Sequence, residues 1–181
     1  KNADSIEFIP FFRLHDSRYV IYWPYSTPAD LTKLQESVAK KEADKLALDA
    51  ITIDQVAPGE QQPESDHFFK AEGADTGLNK GVRWRHATGW LSYELNDKQR
   101  QAKTLRVSFS TLDAGRQFDL LVNDQLIKSI KLTGDAPQEI YTQDFAIPEK
   151  IVRQSNGKLI VKFVAHKGSI AGGLYGLRLL K

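Results

Sequence analysis

From residue 51 onward, short segments of alternating apolar and polar residues are separated by turn-forming residues. The alternation is clearest in LRVSF at 105–109 and LIVKF at 159–163, and a side-chain period of two is typical of strands with one buried face. Turn formers lie between them, as in Ser-Asn-Gly at 155–157. This spacing favours an antiparallel sandwich or barrel, and a jelly-roll sandwich protects its edge strands well. We expect a mainly β sandwich at 51–181, with strands at 51–56, 67–71, 82–86, 90–95, 104–112, 117–123, 125–132, 139–147, 158–165 and 174–180.

The first 25 residues show a different pattern. Residues 6–25 hold two aromatic and β-branched arms around a His-Asp-Ser turn, which predicts a β-hairpin. A lone hairpin is marginal in water. We therefore expect residues 1–25 to be the remnant of an upstream β-sandwich domain, whose exposed edge would favour a dimer.

Residues 26–50 are predicted to form one helix. Thr27 is a suitable N-cap, Pro28 takes the favoured first helical position, and the residues that follow contain neither Gly nor Pro. The apolar stripe of Leu31, Leu34 and Val38 is narrow, which favours a connector helix lying across a surface over a core helix. A helix that binds a partner protein is the alternative interpretation.

Composition excludes several classes of function. The 25 basic and 23 acidic residues are spread evenly and give a net charge of +2, which disfavours nucleic-acid binding. The absence of Cys excludes disulfides, thiolate zinc sites and cysteine nucleophiles. No apolar run approaches the roughly 18 residues of a membrane span. With no Met and with Lys at position 1, the chain is expected to be a fragment of a longer protein.

The stretch at 56–93 combines aromatic, basic and carboxamide side chains with a loop rich in Gln and Glu. Aromatic rings stack on the C–H face of a sugar while polar groups bond its hydroxyls, so this stretch predicts carbohydrate binding. The candidate residues are Trp84, Arg85, His86, Glu60, Gln61, Glu64 and Arg116. Trp84 is equally compatible with covering a core edge, and Trp90 is expected in the core between the sheets.

Two other kinds of site remain open at this point. Carboxylates in the loop at 58–67 could serve as the acid and base of a glycosidase, although this requires a suitable separation and one raised pKa. A structural calcium ion could be held by Asp66, Asp75 and Asp113 at a sandwich rim. The His residues have no recognised zinc spacing, and the Gly-rich tail at 168–176 has no P-loop order. No metal or cofactor besides the possible calcium is expected.

Five strings carry a family resemblance, in this order: PFFRLHDSRYVIYW, VAPGEQQPESDH, GWLSYEL, GRQFDLLVND and GSIAGGLYGLRLL. The chain resembles, over essentially its whole length, the C-terminal region of bacterial β-L-arabinofuranosidase-like glycoside hydrolases. These are glycoside hydrolase family 127 and its relatives, common in gut Bacteroidetes. GWLSYEL and FDLLVND also resemble galactose-binding-type carbohydrate modules.

The resemblance implies a helical-barrel catalytic domain upstream, followed by β-sandwich domains, in a periplasmic or secreted protein. Residues 51–181 would be the terminal sandwich. Catalysis in the family is attributed to a glutamate and a zinc-linked cysteine cluster in the barrel. Because this chain has no Cys, none of those residues can be assigned here, and the fragment is expected to be inert as an enzyme.

Three functions follow from these expectations. The first is a non-catalytic accessory domain that packs against the catalytic domain of the parent hydrolase and could contact a plant or host glycan. The second is a true carbohydrate-binding module, and the third, more remote, is a glycosidase that uses paired carboxylates. Exposed aromatic rings would favour binding, whereas buried rings would favour a structural role.

Overall fold

The computed structural model describes residues 27–181. The predicted hairpin remnant at 1–25, and the dimer expected through it, lie outside the described residues. Residues 46–181 form one compact unit. In the described part of the chain, no helix combines the length and the apolar character needed to cross a bilayer.

Helix α1 spans Pro28–Ile51. The amide of Asp30 donates to the Thr27 hydroxyl over 3.2 Å, which is the capping arrangement expected of an N-cap threonine. The three stripe residues Leu31, Leu34 and Val38 are exposed, and no residue of α1 is buried among the described residues. The predicted helix is therefore confirmed, and its role as a connector stays a prediction.

Residues 52–180 form two antiparallel sheets that face each other, so the predicted sandwich is confirmed. The four-stranded sheet has the order β1-β10-β4-β7, and the six-stranded sheet has the order β2-β3-β8-β5-β6, with β9 paired to β3. The strands are β1 Thr52–Val56, β2 Lys70–Asn79, β3 Val82–Asn96, β4 Thr104–Ser110, β5 Gln117–Val122, β6 Gln125–Lys131, β7 Ile140–Ala146, β8 Lys158–Ala165, β9 Ala171–Leu174 and β10 Gly176–Leu180. Two short helices, α2 Gln61–Asp66 and α3 Glu149–Gln154, lie in the connections.

The core lies between the sheets and follows the alternation seen in the sequence. In β4, for example, Leu105, Val107 and Phe109 are fully buried, while Arg106 and Ser108 between them are not. The same alternation runs through β5, β8 and β10. Burying one face of each sheet removes a large apolar area from water and stabilises the sandwich.

Strand β3 is the element that positions most of the predicted site. It is one strand of 15 residues where two separate strands were predicted, and its pairing with β2 shifts register opposite Gly73. Arg85 and Tyr93 both bond the carboxylate of Glu64. Eight residues of straight strand would separate them by about 26 Å, so β3 must bend sharply between the two, as bulged strands do.

Candidate functional site

The first candidate surface, which we call the Trp84 patch, consists of Trp84, His86, Asp75 and Arg116. Trp84 and His86 lie on the same face of β3, with ring centroids 4.8 Å apart. On β2, Gly77 is directly opposite Trp84 and Asp75 is directly opposite His86. Both rings are partly exposed. A Cβ at Gly77 would overlap the indole, so this glycine lets the ring lie flat across the strand.

Arg116 fixes the proton position on His86. Its Nη1 lies 3.4 Å from His86 Nδ1, and a guanidinium can only donate. Nδ1 must therefore accept, which places the imidazole proton on Nε2 in the neutral ring. Burial and the Arg116 charge lower the pKa of His86 below its ordinary value of 6.5, against the opposing effect of Asp75. The patch thus offers an N–H donor on Nε2, a carboxylate acceptor and an aromatic face.

The connection between β4 and β5 holds Arg116 in place. Arg116 Nη2 lies 2.7 Å from the carboxylate of Asp113, and its Nη1 lies 3.4 Å from the carbonyl oxygen of Gly172. A Cβ on Gly173 would overlap the Asp113 carboxylate, so the glycines of β9 are needed for this close approach. Burial raises the pKa of Asp113 although the Arg116 charge opposes that shift.

The second feature is a buried ion pair that joins Glu64 of α2 to Arg85 of β3, which we call the Glu64 clamp. The Glu64 side chain accepts hydrogen bonds from the Gly59 amide at 2.8 Å, from Arg85 Nε at 3.0 Å and Nη2 at 2.5 Å, and from the Tyr93 hydroxyl at 2.9 Å. The guanidinium also lies 4.7 Å from the ring centroid of Phe69. Burial alone would raise the pKa of Glu64, but these hydrogen bonds outweigh it and leave that pKa below its ordinary value. All strong partners of the carboxylate are thus internal.

The predicted sugar-binding residues therefore lie in two separate places. Trp84, His86 and Arg116 share the Trp84 patch, whereas Arg85 and Glu64 are bonded to each other in the clamp. Glu60 lies 3.3 Å from Arg83 in a more exposed ion pair. Gln61 lines an open pocket of about 390 Å³ beside α2, together with residues of the clamp and the exposed Phe68.

Glu64, one of the carboxylates in the loop before β2, does not suit the role of a glycosidase acid. A glycosidase acid needs a raised pKa. Glu64 has a lowered pKa and is buried in an ion pair. This arrangement suits a structural carboxylate that fixes the loop to β3.

The expectation that Trp90 lies in the core is wrong. Leu91 and Tyr93 face the core, so Trp90 points to the other face of the sheet, where it is half-buried. Lys162 Nζ, from the adjacent strand β8, lies 4.5 Å from the centroid of a Trp90 ring. The aliphatic stem of such a lysine can cover an aromatic ring while its charge stays in water.

The three carboxylates expected to share a calcium ion do not come together. Asp66 accepts from the Gln62 carboxamide, Asp75 accepts from a neighbouring amide, and Asp113 pairs with Arg116. Among residues 27–181, no group of three His, Asp or Glu side chains is arranged to hold a metal ion.

A third surface was not anticipated from the sequence. A groove of about 510 Å³ crosses the outer face of the four-stranded sheet, and we call it the sheet groove. Its polar lining includes Gln55, Arg106, Ser108, Thr142 and Arg178. The outward positions of Arg106, Ser108 and Arg178 follow from the alternation in β4 and β10. The sequence does not show that these strands are paired, and it is the pairing that brings the side chains together.

The family comparison agrees with the boundaries of the compact unit. Residues 47–180 match a family described as a family of unknown function, DUF6805. The chain belongs to this family. A comparison of the DUF6805 chain with curated proteins finds no match.

Solved structures with similar folds include two carbohydrate-binding modules. A family 35 module from Clostridium thermocellum is 14% identical to the DUF6805 chain, with a TM-score of 0.50 and coverage of 69% of this chain and 96% of that one. A family 35 module from an environmental isolate is 16% identical, with a TM-score of 0.50 and coverage of 70% and 92%. The ANXUR1 extracellular domain of Arabidopsis thaliana is 13% identical, with a TM-score of 0.50 and coverage of 70% and 41%. Identities this low establish a shared fold alone.

Proposed function

We propose that this domain is a non-catalytic carbohydrate-binding module whose Trp84 patch holds one sugar ring. The observation that carries the proposal is the partly exposed Trp84 ring beside His86, whose proton is directed to Nε2 by Arg116. The fold is also that of the two solved carbohydrate-binding modules. Binding is thus favoured over a purely structural role, which would not require an accessible indole.

The chemistry of the patch matches that of a sugar. One face of a pyranose or furanose ring is largely C–H and stacks on an indole. The hydroxyls at its edge both donate and accept, so they need acceptors and donors within the same small area. His86 Nε2 supplies a donor, and Asp75, directly opposite on β2, supplies an acceptor. Within the described part of the chain, no group accepts from His86 Nε2.

The parent protein in this proposal is a glycan-degrading hydrolase of the β-L-arabinofuranosidase-like family that acts in the periplasm or outside the cell. The five sequence strings that resemble that family support this part of the proposal. The accessory domain would hold the parent enzyme near a plant or host glycan. Its partners would then be the glycan and the catalytic domain.

Calorimetry and thermal shift with single sugars test the proposal. L-arabinose, D-galactose and their methyl glycosides should bind and raise the melting temperature. At a sugar concentration ten times Kd, binding adds about 1.4 kcal/mol to the free energy of unfolding. Trp84→Ala should abolish this response, because it removes the stacking surface. Trp90→Ala is the matched control, because Lys162 lies over that indole, and this variant should bind sugar like the wild type.

Three results would contradict the proposal. A flat response to all of these sugars at millimolar concentration would leave the structural role. Unchanged binding in a folded Trp84→Ala variant would remove the patch as the site. Loss of binding in Phe68→Ala instead would move the site to the pocket beside α2, where this side chain is 61% exposed.

A further inference from the structure

The sheet groove is built from two rows of residues that run across the four-stranded sheet. In the first row the register places Gln55 opposite Arg178, Arg178 opposite Arg106, and Arg106 opposite Asp144. Residues directly opposite in antiparallel strands project from the same face. Gln55, Arg178 and Arg106 line the groove, so this row gives it a continuous floor of hydrogen-bonding side chains along three neighbouring strands.

The second row consists of small residues. Here Gly176 lies opposite Ser108, and Ser108 lies opposite Thr142. A Cβ at Gly176 would approach the Ser108 hydroxyl oxygen to 3.2 Å, so the absence of a side chain keeps this part of the floor open. Two small hydroxyl residues and a glycine leave room for a ligand above the sheet.

Two arginines directly opposite each other would repel, and each has a carboxylate partner. Arg106 Nε and Nη2 each lie 2.7 Å from a different oxygen of Asp144. Arg178 Nη1 lies 2.7 Å from Asp49. With Asp49 of α1 included, two positive and two negative charges make this part of the groove neutral overall. Both arginines line the groove and remain partly exposed, so they present N–H donors to a ligand while their carboxylate partners balance their charge.

The walls of the groove supply apolar contact. Leu48, Ala57 and Pro63 line it on the side of β1, and Tyr175 lines it beside Gly176. The Tyr175 hydroxyl accepts from the Asn79 side chain over 3.4 Å, which helps hold the ring. An aromatic and aliphatic wall beside a neutral polar floor matches the alternating C–H and O–H surface of a sugar chain.

We propose that the sheet groove is a second glycan-binding site that takes an uncharged oligosaccharide. A volume of about 510 Å³ falls within the roughly 300 to 1,000 Å³ of known ligand pockets, which suits a short run of sugar units rather than one ring. The paired arginines disfavour phosphate or uronate, since an anion would have to displace Asp144 or Asp49. This site is separate from the Trp84 patch and does not depend on it.

The test is calorimetry of the whole chain with oligosaccharides of equal length. The neutral probes are arabinohexaose, mannohexaose, xylohexaose and cellohexaose, and the charged probe is hexagalacturonic acid. At least one neutral probe should bind. Gly176→Val, which fills the floor, and Arg106→Met, which removes the central donor, should each weaken that binding at least tenfold. Unchanged melting cooperativity shows that each variant is folded. Trp90→Ala, whose indole lies under Lys162 outside both proposed sites, should bind the neutral hexasaccharide within twofold of the wild type.

Several results would overturn the inference. One is a wild-type affinity for the neutral hexasaccharide in both folded groove variants. Another is binding of hexagalacturonic acid but of no neutral probe. A third is no binding of any neutral probe at millimolar concentration. Loss of all hexasaccharide binding in Trp84→Ala would assign the sugar to the patch, which overturns the groove and leaves the proposed function in place. If Trp84→Ala loses the binding of single sugars but still binds the hexasaccharide, the result supports two separate sites.

Discussion

The Glu64 clamp gives the sharpest prediction about stability, through the substitution Arg85→Met. The substitution keeps most of the side-chain volume and removes the charge that faces Glu64, which is 5% exposed. Removing one partner of a buried ion pair typically costs 3–5 kcal/mol, because the other charge stays buried without compensation. The Gly59 amide and the Tyr93 hydroxyl still donate to the carboxylate. We therefore expect the low end, about 3 kcal/mol.

Urea unfolding at pH 7 measures this loss directly. A loss of about 3 kcal/mol corresponds to a fall in melting temperature of about 10 °C for a domain of this size. The matched control is Arg153→Met, because Arg153 pairs with Glu149 on α3 at the surface, and exposed pairs of this kind contribute under about 1 kcal/mol. High salt should leave the difference between the variants largely unchanged, since buried pairs are screened weakly.

A double-mutant cycle with Glu64→Gln separates the pair from its surroundings. Removing both charges should destabilise the domain by less than the sum of the single variants, with a coupling of about 2 kcal/mol. Equal losses in Arg85→Met and Arg153→Met, or a coupling near zero, would refute the reasoning. The ion pair between Glu64 and Arg85 would then behave like one exposed to water, and it would not stabilise the packing of α2 on β3.

Three further predictions concern pH and a buried turn. Because the pKa of Glu64 is lowered from 4.5, its contribution to stability is complete above that value and is lost as pH falls through the folded-state pKa. Urea unfolding at several pH values should therefore show that acid lowers the free energy of unfolding less in Glu64→Gln than in the wild type. Equal decreases in the two proteins would contradict this. Because burial and the Arg116 charge lower the pKa of His86 from 6.5, calorimetry should place the midpoint of any acid loss of sugar affinity below pH 6.5. A midpoint above pH 6.5 would argue against a neutral imidazole. Asp97 is fully buried and accepts from two backbone amides at 2.9 Å, so Asp97→Ala should lower the urea unfolding free energy by about 2–3 kcal/mol, and a loss below about 0.5 kcal/mol would contradict that role.

Much of the sandwich could be predicted because alternation and turn residues are local signals. Strands β5 and β8 follow directly from their alternating apolar residues, and helix α1 follows from Thr27 and Pro28. The strand predicted at 67–71 is β2, which spans Lys70–Asn79 and contains Gly73 and Gly77. In the structure Gly77 lies within the strand, where it leaves space for the indole of Trp84. The need for a glycine at position 77 becomes visible only when β2 is paired with β3, because the pairing places Gly77 opposite Trp84.

The candidate site was predictable only in part, because its residues are distant in sequence. Trp84 and His86 share a strand face and could be grouped from spacing alone. Arg116 reaches them across 30 residues, whereas the neighbouring Arg85 turns to Glu64 after β3 bends. The expectation for Trp90 rested on strand parity and was wrong, because the core positions of this part of β3 are Leu91 and Tyr93. The sheet groove depends on strand order, which alternation does not reveal.

The most direct test of the central claim is an NMR titration that follows the indole N–H resonances of the chain with L-arabinose and D-galactose. The three Trp residues give separate signals that single Trp substitutions assign. We predict a saturable shift of the Trp84 signal for at least one sugar, with the Trp90 signal unchanged. No shift of the Trp84 signal at saturating sugar, or a shift confined to another indole, would contradict the account of the Trp84 patch as a carbohydrate-binding site.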